Sequence, residues 1–322
     1  MLKKKALSIL CAVLMGGLAL AAQEARLSGP LSGWVFDSAS RSIRPIVGLP
    51  GAAYLGDPLV AELDWASAAP EGQLALAIRE GKLYGLRGLN AELAVVEIAG
   101  ALAAPERAAW SADGSGAVIY SGAEGRLQFL RNLLENPVAG AAVEAPGPVV
   151  ALVASGECAV AGVGSERGGG VYLVCPDAPA RLLAAVAQPA ALALANGGRD
   201  LFVADRATGR ILEIRGFRDE ATVMAFAEDS TGNSDPVGLA VSADQRRLFV
   251  ADRAAKRVDT YDLESRALLG QIAVEWEPAL LEPLALRSVF LLKSSGSGQE
   301  PLLVLDAGRE PAVYFVPAGR GE

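Results

Sequence analysis

The chain has 322 residues, a formal net charge of −8 and a composition that is 52% hydrophobic and 20% charged. So much apolar content excludes a disordered polyelectrolyte, and the acidic balance argues against nucleic acid, whose phosphates would repel the chain. The absence of histidine excludes Ser-His-Asp and Cys-His nucleophile systems, an imidazole general base and every histidine-bearing metal site.

At the N-terminus Lys3, Lys4 and Lys5 precede an uncharged apolar run from Leu7 to Ala22, with small residues at Ala19, Ala21 and Ala22. This is the pattern of a signal peptide over residues 1–22. It implies export to the periplasm or the extracellular space and a mature formal charge of −11 after loss of the three lysines. An uncleaved anchor is the alternative, although the run falls short of the ~20 residues that span a bilayer. Leu10 before Cys11 does not suit lipoprotein attachment, and no second apolar run of spanning length follows.

From there a two-strand unit recurs. Trp34–Asp37 leads through a polar turn into Ser42–Val47, and similar runs start at Leu74, Ala117, Ala159, Leu201, Leu248 and Val289. Taking centres at Val35, Leu76, Ile119, Ala161, Val203, Val250 and Leu291, the steps are 41, 43, 42, 42, 47 and 41 residues. A steady stride of this size fits one four-stranded propeller blade per repeat. Ser111-Ala-Asp-Gly114 and Ser242-Ala-Asp-Gln245 supply turn chemistry ahead of two of these units. Thr222–Phe226 and Leu268–Val274 read as fourth strands, and Pro105, Pro148, Pro189, Pro236 and Pro283 are expected just before inner strands. The alanine-rich stretches 91–112 and 179–198 could pass for helices on propensity, but prolines interrupt both and the stride favours strands. The fold class is therefore all-β: a single propeller over residues 28–320, of seven blades, with six blades plus an N-terminal hairpin as the alternative. The first unit lacks an obvious inner strand; Ala52–Leu55 is its candidate outer strand, and four strands are expected between Pro283 and Pro317.

Two segments carry a family resemblance: GLAVSADQRRLFVADRAAKRVDTYDL, Gly238–Leu263, and PAALALANGGRDLFVADRATGRILEI, Pro189–Ile214. They resemble the NHL and YVTN families of β-propeller repeats; the other five units match only in spacing. The resemblance implies a fold and a habit of binding, and brings no catalytic residues with it.

After export two cysteines remain. The hairpin between them centres on Glu166 and Arg167, which sets Val160 opposite Leu173 and Cys158 opposite Cys175. Directly opposed residues come close enough for a bridge, so a Cys158–Cys175 disulfide is expected, with two buried thiols as the alternative. Gly168, Gly169 and Gly170 fall in the predicted turn of this hairpin and read as loop chemistry rather than a phosphate cradle. No cofactor or metal motif is present. Trp34, Trp65, Trp110 and Trp276 lie in or beside predicted strands and read as packing between blades.

Repeated Asp…Arg pairs stand at the hairpin turns: Asp37 and Arg41, Asp205 and Arg210, Asp252 and Arg257. They form either a ring of ligand-binding charges or local ion pairs and Asp-capped turns. The polar loop Glu228–Asp235 is expected on the same face. The candidate binding face is thus Asp205, Arg206, Arg210, Asp229, Asn233, Asp235, Asp252, Arg253 and Arg257. The functional expectation is an exported, non-enzymatic binding or scaffolding module with a protein partner, since a rigid disc with variable loops suits flat recognition. The alternative is a Ca²⁺-type lactonase like some propellers, with oxygen ligands from residues such as Asp64, Glu106 and Asp235 at the channel mouth.

Overall fold

A computed structural model of the chain describes residues 29–165, 168–228, 234–284, 289–294 and 302–319. Residues 1–22, expected to be a signal peptide, and the expected face residues Asp229 and Asn233 lie outside these residues.

Alternating apolar runs separated by polar turns fold into seven antiparallel sheets, six of four strands and the first of three. Blade 5 shows the plan, with strands Pro189–Ala195, Asp200–Asp205, Arg210–Arg215 and Thr222–Glu228 in spatial order from the inner position outward. Blade 6 repeats it with Pro236–Val241, Arg247–Asp252, Arg257–Asp262 and Leu268–Ala273. Among the described residues the only helical element is the 3-10 turn Asn196–Gly198. The alanine-rich stretches are strands, Ala94–Glu97 and Arg107–Trp110 in the first, Ala178–Val186 and Pro189–Ala195 in the second. Strand pairing and burial between blades override alanine's helix propensity there.

A meander sheet buries both faces only if a neighbour covers each, so successive second strands alternate between two interfaces. Leu201 and Val203 pack toward blade 4 with Val160 and Val171, whereas Phe202 and Ala204 pack toward blade 6 with Leu248 and Val250. Seven buried clusters among the described residues, one per junction, join each blade to the next. The seventh joins Val35 and Ile46 of the first blade to Val289, Leu291 and Val304 of the last, which closes the ring. The Leu55 amide donates to the Pro317 carbonyl at 2.9 Å across the same seam.

Blade 1 is built as the sequence suggests. Its hairpin, Leu31–Asp37 with Ser42–Val47, carries an outer strand in two pieces, Tyr54–Leu55 and a single bridge from Val60 to Ile43. The turn after Asp37 meets the segment leading into Trp65–Ala68, the inner strand of blade 2, where Arg41 Nη2 lies 2.5 Å from Asp64 Oδ1. Leu31–Asp37 therefore runs toward this face and holds the second position; among the described residues blade 1 starts there.

The prolines need one correction. Pro189, Pro236 and Pro278 are the first residues of inner strands, while Pro283 ends the inner strand of blade 7. Proline has no N–H for the ladder, so a strand accepts it at its first residue or at a bulge. Each of the three starting prolines is followed by a register shift: Pro189/Ala191, Pro236/Gly238, Pro278/Leu280. Blade 7 accordingly runs from Pro278, and Glu282 lies inside its inner strand, paired with Lys293 at 2.9 Å.

Candidate binding face

The second-to-third strand turns and the segments feeding each inner strand share one face of the ring. There Asp205 ends a second strand and is only 5% exposed. Its Oδ1 accepts from the Gln188 and Ala207 amides at 3.0 and 3.2 Å, and its Oδ2 from the Thr208 hydroxyl at 2.9 Å. Asp252, 1% exposed, repeats the arrangement with the Asp235 and Ala255 amides and the Ser234 hydroxyl. Each carboxylate satisfies backbone N–H groups of its own turn and of the strand that feeds its blade. The Asp-capped turn is the observed geometry.

Asp205 and Arg210 are Cα partners, as are Asp252 and Arg257. The guanidiniums reach elsewhere: Arg210 to Glu228 at 3.2 Å, both half-exposed, and Arg257 to Asp259 at 2.8 Å. Burial pushes the Asp259 carboxyl up, against hydrogen bonds from Gln271 and Arg257 that pull it down. In blade 1, Asp37 pairs with Arg44 at 3.2 Å while Arg41 crosses to Asp64.

Asp235 leads into the inner strand of blade 6. Its carboxylate is held from two sides, by Arg206 of blade 5 (Nε to Oδ1, 2.5 Å; Nη2 to Oδ2, 3.1 Å) and by Arg253 of blade 6 (Nε to Oδ2, 2.7 Å). A planar fork on a carboxylate is a directional contact, so Arg206, Asp235 and Arg253 form a lock across a blade junction. Asp64 occupies the corresponding place in blade 2, held by Arg41 of blade 1 and by the Glu80 amide of its own hairpin at 3.2 Å.

Arginine is used this way around the whole ring, which strand patterns do not reveal. Arg87 donates to the Leu134 carbonyl at 3.0 Å, Arg107 to Val149 at 3.1 Å, Arg181 to Phe217 at 2.7 Å, Arg247 to Ala307 at 2.9 Å and Arg44 to Ala318 at 3.2 Å. With Arg41 and Arg206, every one of the seven junctions is crossed by a guanidinium. The only sequence signal is an arginine near strand ends. The Trp34 and Trp110 indoles also bridge blades, donating to Asn90 Oδ1 at 2.9 Å and Ser67 Oγ at 3.0 Å.

The three acidic residues considered for a channel cation are not gathered. Asp64 and Asp235 are engaged as described, and the Glu106 carboxylate rests on Gly122, where a Cβ would come within 2.7 Å of Oε1. Among the described residues no group of three or more His, Cys, Asp or Glu side chains could hold a metal ion.

On the same face, blade 4 opens a cavity of about 660 Å³ between Pro146–Pro148, Val163, Ser165, Gly168, Gly169, Tyr172 and Ala185–Ala187. Its far wall continues into Gln188, whose amide the Asp205 carboxylate holds. Gly169 and Gly170 open the third strand, Gly169–Cys175, rather than lying in the turn. A Cβ on Gly169 would come 2.4 Å from the Val163 carbonyl oxygen and 2.9 Å from Pro189, so crowding between adjacent strands requires glycine. At the opposite end of the same hairpin Cys158 and Cys175 form a disulfide with Cα atoms 4.3 Å apart, in the register that sets Val160 opposite Leu173.

No protein-family model matches the chain, and no curated protein does. Solved structures match it across most of its length. A protein from Lactobacillus plantarum shares 11% identity at a TM-score of 0.66, over 89% of this chain and 96% of that one. A putative 6-phosphogluconolactonase from Bacteroides fragilis shares 13% at 0.61, over 90% and 96%. The Cps50 (Swd1) β-propeller domain from Myceliophteria thermophila shares 12% at 0.53, over 84% and 95%. At such identities the likeness shows the fold, and the fold is a seven-bladed β-propeller.

Proposed function

We propose that this protein is an exported, non-enzymatic binding or scaffolding module that receives a protein partner on the hairpin face, anchored in the groove of blade 4. The supporting observation is the character of that groove. Tyr172 is the only titratable side chain among its described lining residues; the others are proline, glycine, alanine, valine and serine. A hydrolytic site needs a base, a nucleophile or a cation ligand in contact with substrate. A groove whose described lining is neutral, with one aromatic anchor and adjacent hydrogen-bonding backbone, suits recognition instead. The nearby charges are engaged in the ring itself, so the groove stands on a preorganised support.

The test is capture by the immobilised full-length chain from an extracytoplasmic extract, compared with the Tyr172→Ala variant at matched melting temperature. Loss of the same captured band in Tyr172→Ala, with retention in Arg210→Ala, supports the reading; equal capture by both variants overturns it.

The lactonase reading has its own support in the likeness to the putative 6-phosphogluconolactonase. Metal analysis with melting in Ca²⁺ and in chelator, plus a lactone-hydrolysis assay, separates the two. A Ca²⁺-linked rise in melting temperature together with turnover favours the hydrolase.

A further inference from the structure

The turn joining the inner and second strands of blade 5 lies on the face opposite the groove. It begins at Asn196 in the left-handed region, φ +50, and continues through Gly197 at φ +64, ψ +28 and Gly198 at φ +84. The Arg199 amide closes it by donating to the Asn196 carbonyl at 3.3 Å. Asn196 and Gly197 are both exposed, and a Cβ on either glycine would meet no atom within 4 Å. The Asn196 amide nitrogen donates to Asp200 Oδ2 at 3.2 Å, while Asp200 Oδ1 accepts from the Gly216 amide at 3.1 Å.

We propose that Asn196 is a site of spontaneous deamidation in the folded protein. The Gly197 backbone nitrogen attacks Asn196 Cγ; the new C–N bond closes a succinimide as the Cγ–Nδ2 bond breaks. Ammonia leaves, carrying the proton lost from the Gly197 amide. Water then opens the ring at either carbonyl and leaves aspartate or isoaspartate, with no change of oxidation state. Three features meet here: glycine offers the attacking nitrogen no steric shield, the turn is open to solvent, and the asparagine side chain is exposed, with an Asp200 contact on its amide nitrogen. The other described asparagines lack that combination. Asn132 has the same left-handed backbone, φ +54, but precedes the buried Leu133. Asn136 precedes Pro137, which has no N–H, and Asn90 precedes Ala91, whose methyl group crowds the attacking nitrogen where Gly197 has none. The product turns a donor toward Asp200 into a second carboxylate beside it, which loosens the contact that also ties Gly216.

The experiment is incubation of the native and the urea-unfolded full-length chain at mildly alkaline pH, followed by peptide mapping. Amide loss at Asn196 severalfold ahead of Asn132 and Asn136 in the native protein is the expected result. Asn196 keeping its amide in the native protein while converting in urea overturns the proposal, as does loss at Asn132 matching that at Asn196. The Asn196→Asp variant is expected to melt lower by about 2 °C, and an unchanged melt overturns the claimed loosening.

Discussion

The junction between blades 5 and 6 and the mouth of blade 4 share one face of the ring and are built from opposite materials. At the junction, Asp205, Asp252 and Asp235 are committed to turns, feeding strands and two guanidiniums. At blade 4 the corresponding positions hold Pro146, Gly147 and Pro148 against a glycine-opened strand, and a cavity of about 660 Å³ remains. Charge closes one region; the described lining of the other is small and uncharged, and a cavity stays open there. The two repeats that announce themselves most strongly in sequence thus use their hairpin charges for architecture, and one of the five that match only in spacing carries the open surface.

Substitutions in both regions probe this contrast. The largest effect is expected from the core that both regions rest on: Phe249→Ala, fully buried against Phe290 and blade 7, should cost about 3–5 kcal/mol in denaturant unfolding. Next is the charged junction itself. Asp252→Ala leaves two amides and a hydroxyl without their acceptor and should cost about 2 kcal/mol or more; a loss no larger than that from Arg210→Ala would mean the cap is ornamental. Removing the disulfide of blade 4, as Cys158→Ser with Cys175→Ser, opens a crosslink between residues 17 apart in sequence. About 2–3 kcal/mol is expected, read as a melt that responds to reductant in the parent and not in the variant. Arg206→Ala removes one of the two forks on a partly exposed carboxylate and should cost ~0.5–1 kcal/mol, diminishing in high salt. The smallest effect on stability belongs to Tyr172→Ala, whose consequence is expected in capture.

Acidification probes carboxylates elsewhere in the blades. Hydrogen bonds from Ser111 hold Asp113 below the ordinary carboxylate value of 3.8, Ser242 does the same for Asp244, and the Ser265 amide for Asp262. Their folded forms release protons more readily than the unfolded chain. The stability they contribute is present above 3.8 and disappears as pH falls through their lowered values. Asp259 has the opposite sign: burial raises it, so its favourable contribution exists below 3.8 and is lost as pH rises through its raised value. Asp259→Asn should therefore stabilise at neutral pH, with Gln271 still able to donate to the new amide oxygen, and the gain should shrink on acidification when unfolding is followed against pH.

Sequence periodicity was enough for the hairpins, because alternation and turn residues are local properties. The stride between them, together with Leu201–Asp205 and Leu248–Asp252, was enough for a ring of small sheets. The opposition of Cys158 and Cys175 followed from counting outward from one turn. What the hairpin charges touch was not legible: Asp205 reaches back to Gln188, and Arg206 forward to Asp235 in the next blade. Those contacts depend on how one sheet is placed against another, and the pattern within a strand carries no record of that placement. The same holds for the guanidiniums that cross every junction and for the groove of blade 4, whose walls come from three separate connections. Local chemistry determined the strands and their count; packing of neighbouring sheets around the axis decided which polar groups face each other and where the surface stays open.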